Sequence, residues 1–270
     1  MPAAARITEV FQNRRAAGQL AFIPFVTAGD PDLATTADAV RTLAASGADL
    51  IEVGFPYSDP IADGPVIQSS YTRALSHHVK LKDIFATIKT VSAEVTTPLL
   101  AMVSYAIIFR TGPEHFVQEA AAAGFTGLIV PDLPGDEAAE FARLVAPSGL
   151  ALIQLVAPTT PPERLAKILQ HASGFVYCIA VAGTTGVREA LPGDLTAMLR
   201  QLRQQTTLPL AVGFGIGRPE QVRGLRGLAD GAIVGSALVR CLDEAATDKP
   251  AALGRFRQLA TDLATSAHAG

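Results

Sequence analysis

Two acidic residues stand where this sequence could move protons. Glu52 interrupts an otherwise apolar run, Leu50-Ile51-Glu52-Val53-Gly54. Asp63 lies in the loop that follows, Pro56-Tyr57-Ser58-Asp59-Pro60-Ile61-Ala62-Asp63-Gly64-Pro65. A carboxylate on a strand that loses water is desolvated, which favours its neutral form and raises its pKa. An acid that titrates near neutrality is what general acid–base work needs, and two carboxyls in unlike surroundings can divide the roles. Plainer readings exist for each. Glu52 can pair with a buried arginine or a backbone amide, and Asp59 and Asp63 can be turn residues in Ser-Asp-Pro and Asp-Gly-Pro.

A second constellation is made of glycines. Gly183-Thr184-Thr185-Gly186, Gly213-Phe214-Gly215-Ile216 and Gly235-Ser236 each follow an apolar run, and Gly235-Ser236 opens a short helical stretch over Ala237–Asp243. Glycines let backbone amides approach an anion, and a helix start favours negative charge, so these loops suit a phosphate. They also suit tight turns with no ligand. Other residues at the ends of apolar runs are Phe25, Thr27, Asp30, Tyr105, Asp132 and Tyr177.

Several chemistries find no support. The five lysines fall in helical or outer-loop stretches rather than at strand ends, which argues against a Schiff base. The five histidines lack ligand spacing for a metal, and no residue set suggests a Ser/His/Asp triad. A net charge of -3 gives no broad attraction for nucleic acid. Cys178 and Cys241 both stand in apolar stretches and read as free thiols of a reducing compartment. With no signal-peptide pattern and no apolar run of about 18 residues, the expected location is cytoplasmic, away from membranes.

These groups need a frame. Eight short apolar runs recur: Ala21–Thr27, Leu50–Gly54, Leu99–Ser104, Gly127–Val130, Ala151–Val156, Phe175–Ile179, Leu210–Gly213 and Gly231–Val234. Strands dry on both faces read this way, as in a parallel sheet covered by helices. Amphipathic stretches separate them: Asp32–Ala45, Lys82–Val95, Glu114–Ala123, Asp136–Val145, Pro162–Ala172, Leu195–Gln205 and Pro219–Leu228, with Arg6–Ala17 before the first strand and Ala251–Thr265 last. With 49% hydrophobic residues and no tryptophan, a core of Ala, Leu, Val and Ile is expected. The pattern fits an α/β fold, a single (β/α)8 TIM barrel over residues 1–270 with an extra N-terminal helix closing its bottom. An open doubly wound sheet is the alternative.

Two segments then carry a resemblance. Pro24-Phe25-Val26-Thr27-Ala28-Gly29-Asp30-Pro31 and Glu52-Val53-Gly54-Phe55-Pro56-Tyr57-Ser58-Asp59-Pro60-Ile61-Ala62-Asp63-Gly64-Pro65-Val66-Ile67-Gln68 resemble the two signature segments of tryptophan synthase α subunits. Pro131-Asp132-Leu133-Pro134, Gly213-Phe214-Gly215-Ile216 and Gly235-Ser236 match in order and place. The resemblance implies a lyase of tryptophan biosynthesis that splits indole-3-glycerol phosphate into indole and glyceraldehyde 3-phosphate by a retro-aldol step. It implies Glu52 as the acid–base catalyst at indole C3 and at the glycerol hydroxyl, and Asp63 at the indole nitrogen. Phe25 and Tyr177 match residues near the indole, and Gly186, Gly215, Gly235 and Ser236 match the phosphate site. Thr185 matches the residue that meets the catalytic aspartate as the loops close.

The resemblance also implies no cofactor in this subunit. Asp59 and Pro60 match contacts to a pyridoxal-phosphate-dependent β subunit, in a heterotetramer of two α and two β chains. Two places depart from the family pattern. Tyr105-Ala106-Ile107-Ile108 lacks the usual asparagine after strand three, and Ala180-Val181-Ala182-Gly183-Thr184-Thr185-Gly186 lacks a serine and one threonine. A non-catalytic activator of the β chain, a stand-alone indole-releasing lyase and another phosphate-binding barrel are the alternative readings. The last of these, if an indole-glycerol phosphate synthase, would need a strand lysine.

Overall fold

The computed structural model describes residues 3–60, 63–135, 137–179, 193–213 and 215–270. In chain order the elements are α1 (Ala3–Ala16), β1 (Ala21–Thr27), α2 (Leu33–Ala45), β2 (Ile51–Gly54), α3 (Pro65–Ser76), α4 (Leu81–Ser92), β3 (Leu99–Met102), α5 (Tyr105–Thr111), α6 (Pro113–Ala122) and β4 (Phe125–Ile129). They continue with α7 (Ala138–Val145), β5 (Ala151–Val156), α8 (Pro162–His171), β6 (Val176–Ile179), α9 (Gly193–Gln205), β7 (Leu210–Gly213), α10 (Pro219–Arg223), β8 (Gly231–Val234), α11 (Ser236–Cys241) and α12 (Lys249–His268).

The strands pair in sequence order, all parallel, and β1 closes on β8 through Ala21↔Gly231 to Pro24↔Val234. An open sheet is thereby excluded. The period of two along each strand sorts the side chains into two cores. Ile51 and Val53 point outward into the helical layer, with residues such as Val26, Ala101, Leu128, Val176 and Val212. Ala21, Ile23, Leu50, Leu100, Ile129, Ala151, Ile153, Phe175, Ala211 and Ile233 fill the inside.

Helix α1 plugs the bottom of that inner core. Its Ile7 and Phe11 are buried there, with the Phe11 ring 5.4 Å from that of Phe175. Two paired carboxylates fasten the same end. Asp49, before β2, accepts the Phe22 amide at 2.8 Å and bonds Arg14 at 2.7 Å and His268 at 2.8 Å. Asp230, before β8, accepts the Leu210 amide at 2.7 Å and meets Arg15 and Arg203. Strand register, α1 and α12 are thus tied together at the bottom.

The expected strands all form, four with the same bounds and the others displaced by one or two residues at one or both ends. Asp32 caps α2 through the Thr35 amide, and Pro162 and Pro219 stand in the first turns of α8 and α10. Gly47 and Gly124 take positive φ just past α2 and α6. The stretch expected as a helix to Leu228 stops at Arg223, and turns follow. Residue 136, the expected start of another helix, lies outside the described residues.

Helices α3 and α5 were not expected. Helix α3 has no side-chain cap and runs through Ser69, Ser70 and Thr72, poor helix formers. It forms because Ile67, Ser70, Tyr71 and Ala74 are buried against the barrel. Helix α5 is a short segment between the Ser104 cap and Gly112.

The plug is testable. Phe11→Ala removes a ring that is 2% exposed and leaves a cavity under β6. The substitution is expected to lower unfolding free energy by about 3–5 kcal/mol, read from urea denaturation midpoints at an unchanged slope.

Candidate active site

Above the inner core, the open end of the barrel carries the groups singled out in the sequence. Glu52 faces inward on β2, in register with Phe25 of β1 and Leu100 of β3. It is fully buried, and neither carboxyl oxygen has a hydrogen-bond partner. Among the described residues no arginine or backbone amide compensates it, so the pairing considered for it from sequence is not found there. Burial alone pushes its carboxyl well above the usual range.

The rest of the pocket is built around that carboxyl. Met102, Leu155 and Tyr177 lie on the inner core and make the floor, while Phe25, Ile67, Tyr71 and Val239, with Tyr57 and Val66, form an apolar wall from β1, α3 and α11. Two glycines are needed where these rings lie. A Cβ on Gly54 would collide with the Phe25 ring and approach the Tyr71 hydroxyl to 2.9 Å. A Cβ on Gly213 would stand 2.7 Å from the Tyr177 ring and hydroxyl. Phe25 and Tyr177, expected near an indole, therefore fill space opened by glycines on neighbouring strands.

Asp63 enters from the loop between β2 and α3. Its amide bonds the Pro60 carbonyl at 3.0 Å, and the Gln68 side-chain amide holds its carbonyl at 2.8 Å. The Tyr57 hydroxyl donates to its carboxylate at 3.3 Å. Burial raises the Asp63 pKa, and the Tyr57 bond partly opposes the rise. Asp63 is thus a half-buried carboxyl with a donor, Glu52 a fully buried one without. The turn-residue reading of Asp63 holds for its backbone but does not account for its inward carboxyl.

Around this pocket the loops are braced by ion pairs. Arg73 on α3 grips Asp30 with two bonds of 2.8 Å and reaches Asp243 beyond α11 at 2.8 Å. Thr27 and Ser70 share a hydrogen bond of 2.7 Å. Asp132 accepts from the Ser104 hydroxyl at 2.6 Å and the Tyr105 amide at 2.7 Å, tying the loops after β3 and β4. Asp30, Asp132 and Tyr105 are therefore scaffold groups.

Gly215 and Gly235 follow β7 and β8, and Ser236 opens α11 beside them. Gly215 has φ +46 and open space where a side chain would be. First-turn amides of a helix have no partner within it, so Ser236 presents a polar edge to this side of the pocket. Thr185, Gly186 and Phe214 lie outside the described residues.

On the outside of the same loop, Asp59 is exposed beside a groove of about 610 Å³ lined also by Tyr57, Ile107, Arg110 and Pro131. Nearby α5 carries Phe109, whose side chain is 69% exposed. Pro60 is half-buried on the edge of this surface. Sequence reading did not single out Tyr71, Tyr57 or Met102 as site residues. The available signal was the spacing of Ile67, Tyr71 and Ala74, one turn apart on a stretch to which no element was assigned.

The described residues hold no cluster of metal-ligating side chains and no helix long and apolar enough to cross a membrane. Cys178 is buried, its thiol pushed up to about 12 by burial, and Cys241 is half-buried; both are free.

The family model described as tryptophan synthase alpha chain matches residues 11–268. Tryptophan synthase alpha chains from Rippkaea orientalis and a Synechocystis strain are 47% and 48% identical to the chain, covering 93% and 88% of it and 95% and 90% of themselves. Among solved structures, tryptophan synthase subunit alpha from Legionella pneumophila superposes with a TM-score of 0.88 at 35% identity, covering 97% of each chain. A chain of tryptophan synthase from M. tuberculosis in its aminoacrylate-bound form gives 0.87 at 34% identity, covering 97% of this chain and 99% of that one.

The isolation of Glu52 has a consequence for stability. Its folded pKa is raised, so the folded state binds this proton more tightly than the unfolded chain does. The native carboxyl is tolerated below the ordinary value of 4.5 and becomes a growing cost as pH rises from there toward the folded pKa. Glu52→Gln is expected to be more stable than the parent at pH 8, by about 1.4 kcal/mol for each unit of the shift. The advantage should shrink toward pH 4.5, and equal melting curves at both pH values would show that Glu52 is compensated.

Proposed function

We propose that Glu52 carries out the proton transfers of this chain's reaction and that Asp63 stabilises the charge they create: the chain belongs to the tryptophan synthase alpha chain family and is the lyase of the α reaction in tryptophan biosynthesis, which cleaves indole-3-glycerol phosphate. The observation that carries the assignment is the unpartnered Glu52 carboxyl at the mouth of an apolar barrel, with a second, differently placed carboxyl in the adjoining loop.

Indole C3 is a weak base, and its protonation needs an acid that still holds its proton near neutral pH. Glu52 suits that need, because burial favours its protonated form and raises its pKa well above the ordinary value. Once C3 has taken the proton, positive charge spreads to the ring nitrogen. Asp63, ionised more readily and supplied with a donor by Tyr57, stabilises that charge. The Glu52 carboxylate then removes the proton of the glycerol hydroxyl on the carbon attached to the ring. The C–C bond breaks, its electrons return to the indole ring, and the hydroxyl carbon becomes the aldehyde of glyceraldehyde 3-phosphate. Glu52 ends protonated, as it began, and no cofactor of this subunit enters the sequence.

On this reading Phe25 and Tyr177 lie near the indole, and Gly215, Gly235 and Ser236 take the phosphate; Gly186 and Thr185, which the resemblance assigns to the phosphate site and to the contact with Asp63, lie outside the described residues. Family members work with a β subunit. The face carrying Asp59, Pro60, the groove and exposed Phe109 suits that partner, because it sets an exposed aromatic ring near a groove and shares a loop with the site. A heterotetramer of two α and two β chains, with pyridoxal phosphate in the β chain, follows from this reading.

Release of indole from indole-3-glycerol phosphate, measured without and with a β subunit, is the test. Glu52→Gln is expected to reduce the rate at least a hundredfold, and Asp63→Asn by a smaller but clear factor, with substrate still bound. Undiminished release by Glu52→Gln would remove Glu52 from the chemistry. Full activity with no response to the β subunit would leave a stand-alone lyase.

A further inference from the structure

The chain has four tyrosines, and three of them gather round the two carboxylates. Tyr57 is bonded to Asp63, and Tyr177 is packed over Gly213 on the far strands. Tyr71 has no role in the reading above. Its ring is 2% exposed and sits among Phe25, Ile67 and Val239, with the Tyr57 ring 5.5 Å away. Its hydroxyl points inward, 2.9 Å from the position a Cβ would take on Gly54.

Gly54 stands two residues above Glu52 on the inner face of the same strand, a separation of roughly 6.6 Å. The Tyr71 hydroxyl is therefore one side-chain layer above Glu52, on the side from which Asp63 enters. A glutamate side chain spans such a layer. Burial first, then the charges of Asp63, Tyr57 and Glu52, push the Tyr71 hydroxyl well up, so it stays a neutral donor at any working pH. Glu52 has no donor in the resting arrangement, which suits a protonated carboxyl. It does not suit the charged carboxylate that exists between the two proton transfers, because an uncompensated buried anion is costly.

We propose that Tyr71 is a positioning residue for Glu52: its hydroxyl donates a hydrogen bond to the Glu52 carboxylate after the first proton transfer and orients it for the second. The inference rests on Glu52 being the acid–base of the cleavage. It assigns a task to the buried tyrosine of α3 and explains why a phenol, rather than a leucine or phenylalanine, fills this part of an apolar wall.

Tyr71→Phe keeps the ring and removes only the donor. The expected result is a tenfold to hundredfold fall in kcat for indole release with KM changed less than about threefold, since a hydrogen bond to a charged group has that size. Without a donor to the charged form, Glu52 holds its proton to higher pH, so the alkaline fall of kcat should move upward. Placing 3-fluorotyrosine at position 71 strengthens the donor without altering the packing, and should move that limb downward. In the background of Glu52→Gln, Tyr71→Phe should cost nothing further. An inactive Glu52→Gln beside a Tyr71→Phe of unchanged kcat and pH profile would overturn this inference and leave Glu52 in place. A fully active Glu52→Gln would instead sink the reading beneath it. Should Tyr71→Phe fold poorly, the fluorotyrosine chain decides, because an unmoved pH limb there also overturns the role.

Discussion

A carboxyl buried in an apolar barrel without a partner is the constraint to which the other features of this molecule answer. Glu52 gains nothing from its surroundings and costs stability whenever it is charged. Such a group persists only if the frame around it has stability to spare. That frame is the inner core from Ala21 to Ile233, sealed by α1, and its strands are fixed by continuous parallel pairing round the closed barrel. The desolvation that makes Glu52 costly is also what raises its pKa and favours the proton it would donate. Stability and chemistry are opposed at this one side chain, and the barrel carries the difference.

The acidic residues divide along the barrel axis in keeping with this. At the bottom, Asp49 and Asp230 each accept a backbone amide; Asp49 also meets Arg14 and the His268 ring, and Asp230 meets Arg15 and Arg203. A buried carboxylate so supplied is a structural tie. At the top, Asp30 and Asp132 are also satisfied, and they brace loops. Glu52 lacks any partner, and Asp63 has one phenol for its carboxyl. The distinction between scaffold and chemistry thus lies in how completely each carboxylate is paired, which no sequence position reveals by itself. Asp30 and Asp63 both sit in turn-like loops with prolines nearby, yet one is gripped by Arg73 and the other is left to face the pocket.

This is why some of the site was legible and some was not. Glu52 stood out because a charge inside Leu50–Gly54 breaks a pattern that the strand's burial demands. The strands themselves were legible because being dry on both faces leaves a short, nearly uniform apolar run. Helix α3 was hidden, since Ser69, Ser70 and Thr72 weaken its helical signal and its stability comes from what Ile67 and Tyr71 touch. With α3 unread, Tyr71 could not be placed, although it contacts the same wall as Phe25. The long-range ties Arg73–Asp30 and Thr27–Ser70 were invisible for the same reason, being contacts between segments more than forty residues apart.

The loop from Phe55 to Gly64 joins these levels. Its outer side shows Asp59 to the groove, and its inner side delivers Asp63 to the pocket only a few residues later. Tyr57 belongs to both, lining the groove while its hydroxyl holds the Asp63 carboxylate. Tyr57 therefore links the groove to the Asp63 carboxylate through one side chain, and Gln68 clips the Pro60 and Asp63 carbonyls. Helix α3, which begins where the loop ends, is tied by Arg73 to Asp30 after β1 and to Asp243 after α11. A partner seated on the exposed face of α5 and this groove would thus shift the second carboxylate relative to a Glu52 that the barrel holds fixed. Under that proposed docking, the path from partner to chemistry would be no longer than the Tyr57 side chain and its bond to Asp63.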